Sequence, residues 1–363
     1  MTTLTQLIEQ YCPDGVEYVK LGDVAEVGTG KCDRKNATDD GEYPFFVRSE
    51  QVLRNPTYQF DEEAIIVPGE GSIGEIFHYI NGKYALHQRA YRVHFIDEGV
   101  SARYALYAFK TFFKNYVMGR AVTATVTSLR KPMFTEFQFP FPPREVQDAI
   151  VERLDAFAAL LESLDSEIAL REKRFAYFRK QLLAFDESEG VEYVKLGGAL
   201  KLKAGRHIKA SEISNERSDT HRYKCVGGNG VRGFVSAHNQ HGAYAVIGRQ
   251  GALCGNVRWF NGYFYATEHA VVVTPEEGVC GSFMFHQLVE MNLGQYATKS
   301  AQPGLSVNKL NELPIPLPSL KVQQEIADRL DTMQSLIDNL KKERELRKAQ
   351  FEYYREKLLT FNS

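Results

Sequence analysis

The chain has 363 residues, 44 Lys and Arg against 46 Asp and Glu for a formal net charge of -2, and a hydrophobic fraction of 44%. That is room for two packed domains; no run approaches the roughly 20 apolar residues of a membrane span, and the balanced charge does not by itself announce a nucleic-acid binder, although a local basic face can sit inside a balanced total. The five cysteines (Cys12, Cys32, Cys225, Cys254, Cys280) are scattered with no C-x-x-C pair, which argues against a zinc ribbon or a disulfide framework.

The chain opens with MTTLTQLIEQYC, without the basic start and apolar core of a leader. Residues 1–14 read as an N-terminal helix, and the protein is placed in the cytoplasm. Next comes the octet GVEYVKLG at 15–22, which returns at 190–197. An internal repeat governs everything after it.

A first globular domain is expected over 15–141. Its centre, IIVPGEGSIGEIFHYINGKYALHQRAYRVHF, contains GEGSIG (Gly69, Gly71, Gly74), which fits the G-x-G-x-x-G pattern of a dinucleotide loop. A pyrophosphate needs a helix N-terminus there, and EIFHYINGK reads instead as a strand. The second half has GRQGALCG at the matching place, with different glycine spacing. The glycines are therefore read as a turn between strands. Asn81-Gly82, and Asn261-Gly262 in the second half, are expected at hairpin turns. The polar clusters of this domain are KCDRKN (31–36), VRSEQVLRN (47–55), HQR (87–89) and TATVTSLRK (123–131).

From FPFPP onward, residues 142–188 are expected to form a long helix, because prolines stop a helix from propagating backwards. Its apolar residues step by four and three: Ile150, Leu154, Phe157, Leu161, Leu164, Ile168, then Phe175, Phe178, Leu182 and Phe185. That is a heptad seam. A second domain occupies 189–317, with clusters GRHIK (205–209), GGNGVRG (227–233), GRQG (248–251) and ATKSAQPG (297–304). The last segment, 318–363, repeats the helix. Residues 318–361 align without gaps to 142–185 with 18 identities in 44 positions, including VQxxI, RLD and FxYxRxxLLxF. Its seam is Ile326, Leu330, Met333, Ile337, Leu340, Phe351, Tyr354, Leu358 and Phe361. Arg171, Arg344 and Arg347 interrupt the seams, where polar residues can fix register. Each helix of roughly 40 residues is about 60 Å long. The two most simply pair with each other, in a direction that spacing leaves open.

Catalytic motifs are missing. NPTY (55–58) lacks the second proline of a methyltransferase loop, the histidines have no partner at metal-ligand spacing, and HExxH, P-loop and G-x-S-x-G patterns do not occur. The expected architecture is α/β (α+β), with two similar globular domains alternating with two long helices and no active site of its own. Variable loops rich in Arg, Lys, Gln and Asn suit the reading of two separated sites, since Arg grips guanine and Gln or Asn adenine. The candidate DNA-binding residues are Arg34, Lys35, Arg48, Gln51, Arg54, Gln88, Arg89, Arg130 and Lys131 in the first domain. In the second they are Arg206, Lys209, Asn229, Arg232, Arg249, Gln250, Lys299 and Gln302.

On the domain openings VKLGDVAEV and VKLGGALKL, the closing phrases FTEFQFPFPPREVQDAIVERLD and LNELPIPLPSLKVQQEIADRLD, and the duplication, the whole chain resembles the specificity subunit of Type I restriction-modification systems. The resemblance implies two target recognition domains that each read half of a bipartite double-stranded DNA sequence. It also implies that the helices pair antiparallel and dock two copies of a modification subunit and, through them, restriction subunits. S-adenosylmethionine, ATP and Mg would then belong to those partners, with no cofactor on this chain. Leu154, Leu161, Leu164, Phe175, Tyr177, Leu182 and Phe185, with Leu330, Ile337, Leu340, Phe351, Tyr353, Leu358 and Phe361, are expected at the partner contacts or in the coiled coil, and the repeated Arg179, Leu183, Arg355 and Leu359 with them. The competing reading is a coiled-coil scaffold whose globular domains bind protein.

Overall fold

The computed structural model describes residues 4–119, 128–185, 190–299 and 303–361. After helix α1 (Leu4–Tyr11) and the short strand β1 (Tyr18–Lys20), the first domain builds a sheet from β2 (Ala25–Thr29), β3 (Tyr43–Phe46), β4 (Val52–Asn55), β5 (Phe60–Pro68), β6 (His78–Leu86) and β7 (Ala90–Phe95). The order is β2-β7-β5-β6-β3-β4, antiparallel except for the parallel β3–β6 pair. Strand β5 alternates at its start and is buried throughout its last five residues, the pattern of a strand that passes from a one-sided edge into a core covered on both faces. Beyond β2 the chain reaches the end of β6, where the Cys32 N–H donates to the Leu86 carbonyl (3.2 Å) and the Gln88 N–H to the Cys32 carbonyl (2.9 Å). The continuation of edge strand β2 is thus tied to the end of the interior strand β6. Helix α2 (Ala102–Ala108) packs on it and continues through a π turn, Phe109–Phe113, into Lys114–Gly119.

The second domain repeats this with β10 (Leu200–Ala204), β11 (Tyr223–Gly227), β12 (Gly230–Val235), β13 (Gln240–Gly248), β14 (Val257–Ala266) and β15 (Ala270–Pro275), preceded by β9 (Glu192–Lys195). Its order, β10-β15-β13-β14-β11-β12, is the same. Register matches too: Ile65 faces Val93 as Ala245 faces Val273, and Glu62 faces Gly82 as Gly242 faces Gly262.

The two Asn-Gly pairs are not at hairpin turns. Gly82 and Gly262 lie inside β6 and β14 at φ +121° and +88°. The dipeptide signals a residue outside the ordinary strand conformation, and a kink within a strand uses one as readily as a turn does. The β5–β6 connection is the glycine segment itself, in which Gly71 and Gly74 take φ of +88° and +68°. It leads into strand β6, as the sequence suggested, with no helix at Gly74.

The repeated octet closes each domain. Strand β1 pairs with β8 (Gln138–Pro140), and β9 with β16 (Pro314–Leu317). The Leu21 and Leu196 N–H groups donate to Phe137 and Leu313, both at 2.8 Å, while their side chains are fully buried. Start and finish of each domain are stitched together just before the long helix leaves.

Those helices are α3 (Arg144–Leu183) and α5 (Leu320–Leu359), 40 residues each; between β15 and β16 lies α4 (Gly281–Glu290). Packing divides the chain into one unit of residues 1–165 and 343–363 and another of 166–342, so each unit holds a piece of both helices. In unit 1 the pieces run antiparallel: Phe157 stacks with Tyr354 and meets Phe351, and further along α3 Asp165 takes the Arg344 guanidinium at 2.9 and 3.2 Å. In unit 2 Glu172 pairs with Lys341 at 2.6 Å. Ile150, Leu154, Phe175, Leu330 and Ile337 are buried as the heptads predict. Phe178 is not; it is 44% exposed beside Tyr177, because the seam near the helix end moves to Leu183, whose side chain enters the second domain's core. Tyr177 and Tyr353 both face outward. Of the seam arginines, Arg344 bridges the helices, Arg171 turns to Glu167 on its own helix, and Arg347 to Glu343 and Gln350.

Candidate functional site

Each sheet is fixed to its helix by the same two side chains. Gln147 is fully buried; its Oε1 accepts the Ser101 N–H (2.8 Å), and its Nε2 donates to Pro142 O (2.8 Å) and Gly99 O (2.9 Å). Gln323 repeats this in unit 2 with Cys280 N–H and Pro318 O at 2.8 Å and Gly278 O at 3.5 Å. Two turns along, Asp155 accepts from Arg103 and the Tyr107 hydroxyl, both at 2.6 Å. Asp331 accepts from the Ser282 hydroxyl (2.6 Å) and His286 Nε2 (2.8 Å). The repeated VQ and RLD motifs are therefore the bolts between α3 and α2 and between α5 and α4.

At the other end of each sheet the loops converge. In unit 1 Arg34, Arg48, Ser49, Glu70, Gly71 and His87 line a pocket of about 330 Å³. Glu70, at the tip of the glycine loop, accepts from Arg48 and from Arg89, each at 2.9 Å. The Arg48 hydrogen bond, seconded by Arg89 and opposed by desolvation, holds the Glu70 carboxyl below its ordinary range. Two exposed guanidinium groups are thus fixed around one carboxylate, with donors left over for another acceptor. His87 is buried, and its Nδ1 accepts the Arg89 N–H (3.0 Å). Burial, then the Arg48 charge, pushes its pKa down, so the ring is neutral and carries its proton on Nε2. Gln88 reaches Asp33 at 3.4 Å, and Leu129, next to Arg130, donates its N–H to Gly69 O (2.8 Å).

Arg34, Arg48, Gln88, Arg89 and Arg130 are brought to this end of the sheet. Arg54, on strand β4, is exposed and donates through Nε to the Gly41 carbonyl (2.9 Å). Lys35, in a single helical turn, Gln51, on a loop, and Lys131, at the start of the short helix Lys131–Thr135, are exposed nearby. The stretch 123–127 of the fourth cluster lies outside the described residues.

In unit 2 the equivalent loops carry different groups. Gln250 bridges to Gly304 as Glu70 bridges to Ser128, and the Arg249 N–H donates to His269 O (3.0 Å). Glu268 sits between His207 (2.9 Å) and His269 (3.4 Å). Buried atoms Arg249 Nε, Glu268 Oε2 and His269 Nδ1 have no hydrogen-bond partner among the described residues, an unusual cluster for a native protein unless something else supplies the partners. Arg206 adjoins this group, its N–H on Ala266 O at 2.9 Å. Arg232 lies against Gly227, and Asn229 tops the turn between β11 and β12. Lys209 is on the short turn before Glu212, Lys299 comes directly after Thr298 and its contact with Gly304, and Gln302 lies outside the described residues. A search for cationic and amide residues alone missed Glu70, His87, Glu268, His207 and His269. The common register would have found most of them, since Glu70 and Gln250, or Arg89 and His269, stand at matching places.

Among the described residues no group of three or more His, Cys, Asp or Glu could hold a metal ion, and no helix is long and apolar enough to cross a membrane.

Residues 13–170 and 188–347 each match the Type I restriction modification DNA specificity domain. The chain is 45% identical over 201 residues to the Type I restriction enzyme EcoprrI specificity subunit of Escherichia coli, covering 54% of this chain and 50% of that one. Over 373 residues it is 22% identical to the EcoDI specificity subunit of Escherichia coli, covering 90% and 82%. Its fold is similar to the Type I restriction-modification S subunit solved from M. genitalium, with a TM-score of 0.68 at 19% identity, covering 96% of this chain and 98% of that one.

Proposed function

Since the chain belongs to the Type I restriction modification DNA specificity family, we propose that its two loop clusters each read one part of a bipartite duplex sequence, and that the chain itself catalyses nothing. The observation that carries this reading is the Arg48–Glu70–Arg89 group, in which one carboxylate aims two exposed guanidiniums from the tip of a rigid sheet. Arginine donors held in a fixed fork suit the two acceptors of guanine in the major groove. The unpaired buried atoms of Arg249, Glu268 and His269 support a second, chemically different reader.

In this proposal two modification subunits dock on the helices, which expose Tyr177 in unit 2 and Leu346 and Tyr353 in unit 1 at 59–63%, and restriction subunits join through them. S-adenosylmethionine, ATP and Mg act on those partners. Duplication of α3 and α5 presents equivalent surfaces to two identical partners.

Methylome sequencing of a host carrying the assembled system tests this. Arg48→Ala should relax one position of one half-site, with about 1–3 kcal/mol of base discrimination lost, and leave the other half-site intact. A wild-type complex that modifies DNA without sequence preference would overturn the reading and favour a protein-binding scaffold.

A further inference from the structure

The FxYxRxxLL repeat places Arg179 in unit 2 and Arg355 in unit 1 at the same point of their helices. Both guanidiniums lie over a phenylalanine ring, Arg179 on Phe175 (5.3 Å) and Arg355 on Phe351 (5.7 Å). Their Nε atoms then part company. Arg179 Nε donates to Glu290 Oε2 at 3.0 Å, whereas Arg355 Nε is buried with no partner among the described residues.

Counted from the helix caps Ser101 and Cys280, the place of Glu290 is taken in unit 1 by Thr111, and that of Val289 by Lys110. Unit 1 has thus lost the acid that satisfies the arginine and gained a second cation beside it. Lys110 and Thr111 sit on the π turn, a local widening of a helix that recurs at functional sites. Among the described residues Lys110 has no ion pair. Although its side chain as a whole is exposed, local desolvation and then the charges of Arg355 and Arg103 push its pKa down, against Asp155.

Both cations open on a groove of about 710 Å³ whose lining includes Ser72, His78, Lys114 and Asn115. Two acids share it: Glu75 is occupied by Lys114 at 2.5 Å, and Glu50 has no ion pair among the described residues. Ser72 and Gly74 of the glycine loop form one wall, so the groove borders the Glu70 pocket.

We infer that this groove takes a phosphate group, held between Lys110 and the guanidinium of Arg355. Two cations without an ion pair among the described residues, with hydroxyl and amide neighbours, match the anionic oxygens of a phosphate, whether a backbone diester or a free anion. Its place beside the reading loop favours a DNA backbone phosphate, which would set the position of the loop on the duplex while Arg48 and Arg89 read bases. The DNA source rests on the function proposed above; the phosphate chemistry does not.

Two variants test it in the full chain assembled with modification subunits. Thr111→Glu installs in unit 1 the acid that unit 2 already has, and Lys110→Met removes the second cation while keeping its stem. With a DNA phosphate in the groove, each variant should flatten the plot of log affinity against log salt by about one unit of slope, with the methylated sequence unchanged. With a free anion instead, the slope should hold, while the rise in melting temperature that pyrophosphate gives the wild-type chain disappears in both variants. If neither readout moves in either variant, the inference is wrong. It is also wrong if Lys110→Met folds but no longer assembles, which would give the groove to a partner's carboxylate. A wild-type complex without sequence selection would sink the DNA-reading proposal, and the pyrophosphate measurement would still judge the groove.

Discussion

The two sheets of this chain agree where they meet the helices and differ where their loops end. Toward the helices, the Gln and Asp bolts, the octet strand and its buried leucine recur in both units with nearly the same distances. At the loops, Glu70 with two arginines in one unit stands against Gln250, Glu268 and two histidines in the other. A buried amide that satisfies three backbone groups has few substitutes, because each group left unpaired is costly. A loop side chain facing solvent has many. The fold therefore constrains one end of each domain and leaves the other free to vary its chemistry.

This contrast breaks most visibly at the bolts. Gln147→Ala should destabilise unit 1 by about 3 kcal/mol, since it strands the Ser101 N–H and two carbonyls, while Arg48→Ala at the loops should stay within about 0.5 kcal/mol. Hydrogen exchange resolved by segment measures both; equal losses would mean that the helix end is no more constrained than the loops.

A smaller effect separates the bolts themselves. His286, buried against Asp331, has its pKa lowered by desolvation, with Asp331 acting in the opposite sense and Arg179 adding to the fall. The native state thus favours the neutral ring. The stability it contributes is present above its ordinary value of 6.5 and is lost as pH falls through the lower folded value. Tyr107 holds the corresponding place in unit 1, and its pKa is driven upward by burial and by the Asp155 hydrogen bond, so it does not titrate in that range. Exchange protection of residues 281–290 should fall as pH drops from about 7.5 to about 5.5, spanning the ordinary histidine range, while that of 102–108 holds, and His286→Phe should remove the difference. A parallel loss in both helices would assign the acid sensitivity elsewhere.

A small effect is expected between the helices as well, at Arg344. Its bidentate pair with Asp165 is exposed, so Arg344→Ala should cost no more than about 1 kcal/mol in a denaturant titration. A larger loss would mean that this arginine fixes helix register more strongly than a solvated ion pair can.

The repeat, the long helices and the run of short strands were legible because they rest on periodicity and self-similarity. Ile150, Leu154, Leu330 and Ile337 fell where the heptads put them. Asn81-Gly82 misled because its signal is a backbone conformation, which turns and kinked strands share. Phe178 misled because the core of the adjoining domain, absent from a heptad count, draws Leu183 inward instead. The bond from Arg54 Nε to the Gly41 carbonyl, thirteen residues away, was not legible either, because it depends on how the chain before β4 folds back. Glu70 went unselected because a carboxylate at a candidate DNA surface gains meaning only from the two arginines that fold against it.

The β1–β8 and β9–β16 ladders have an evolutionary consequence. A segment whose first and last strands are hydrogen-bonded to each other is a closed cassette: it leaves the long helix at the place where it arrived. Recombination that exchanges the interior of such a cassette, while keeping its octet and its proline strand, hands the helix the same join. A new set of loops can therefore be grafted in a single event, without any compensating change in the helices that carry it.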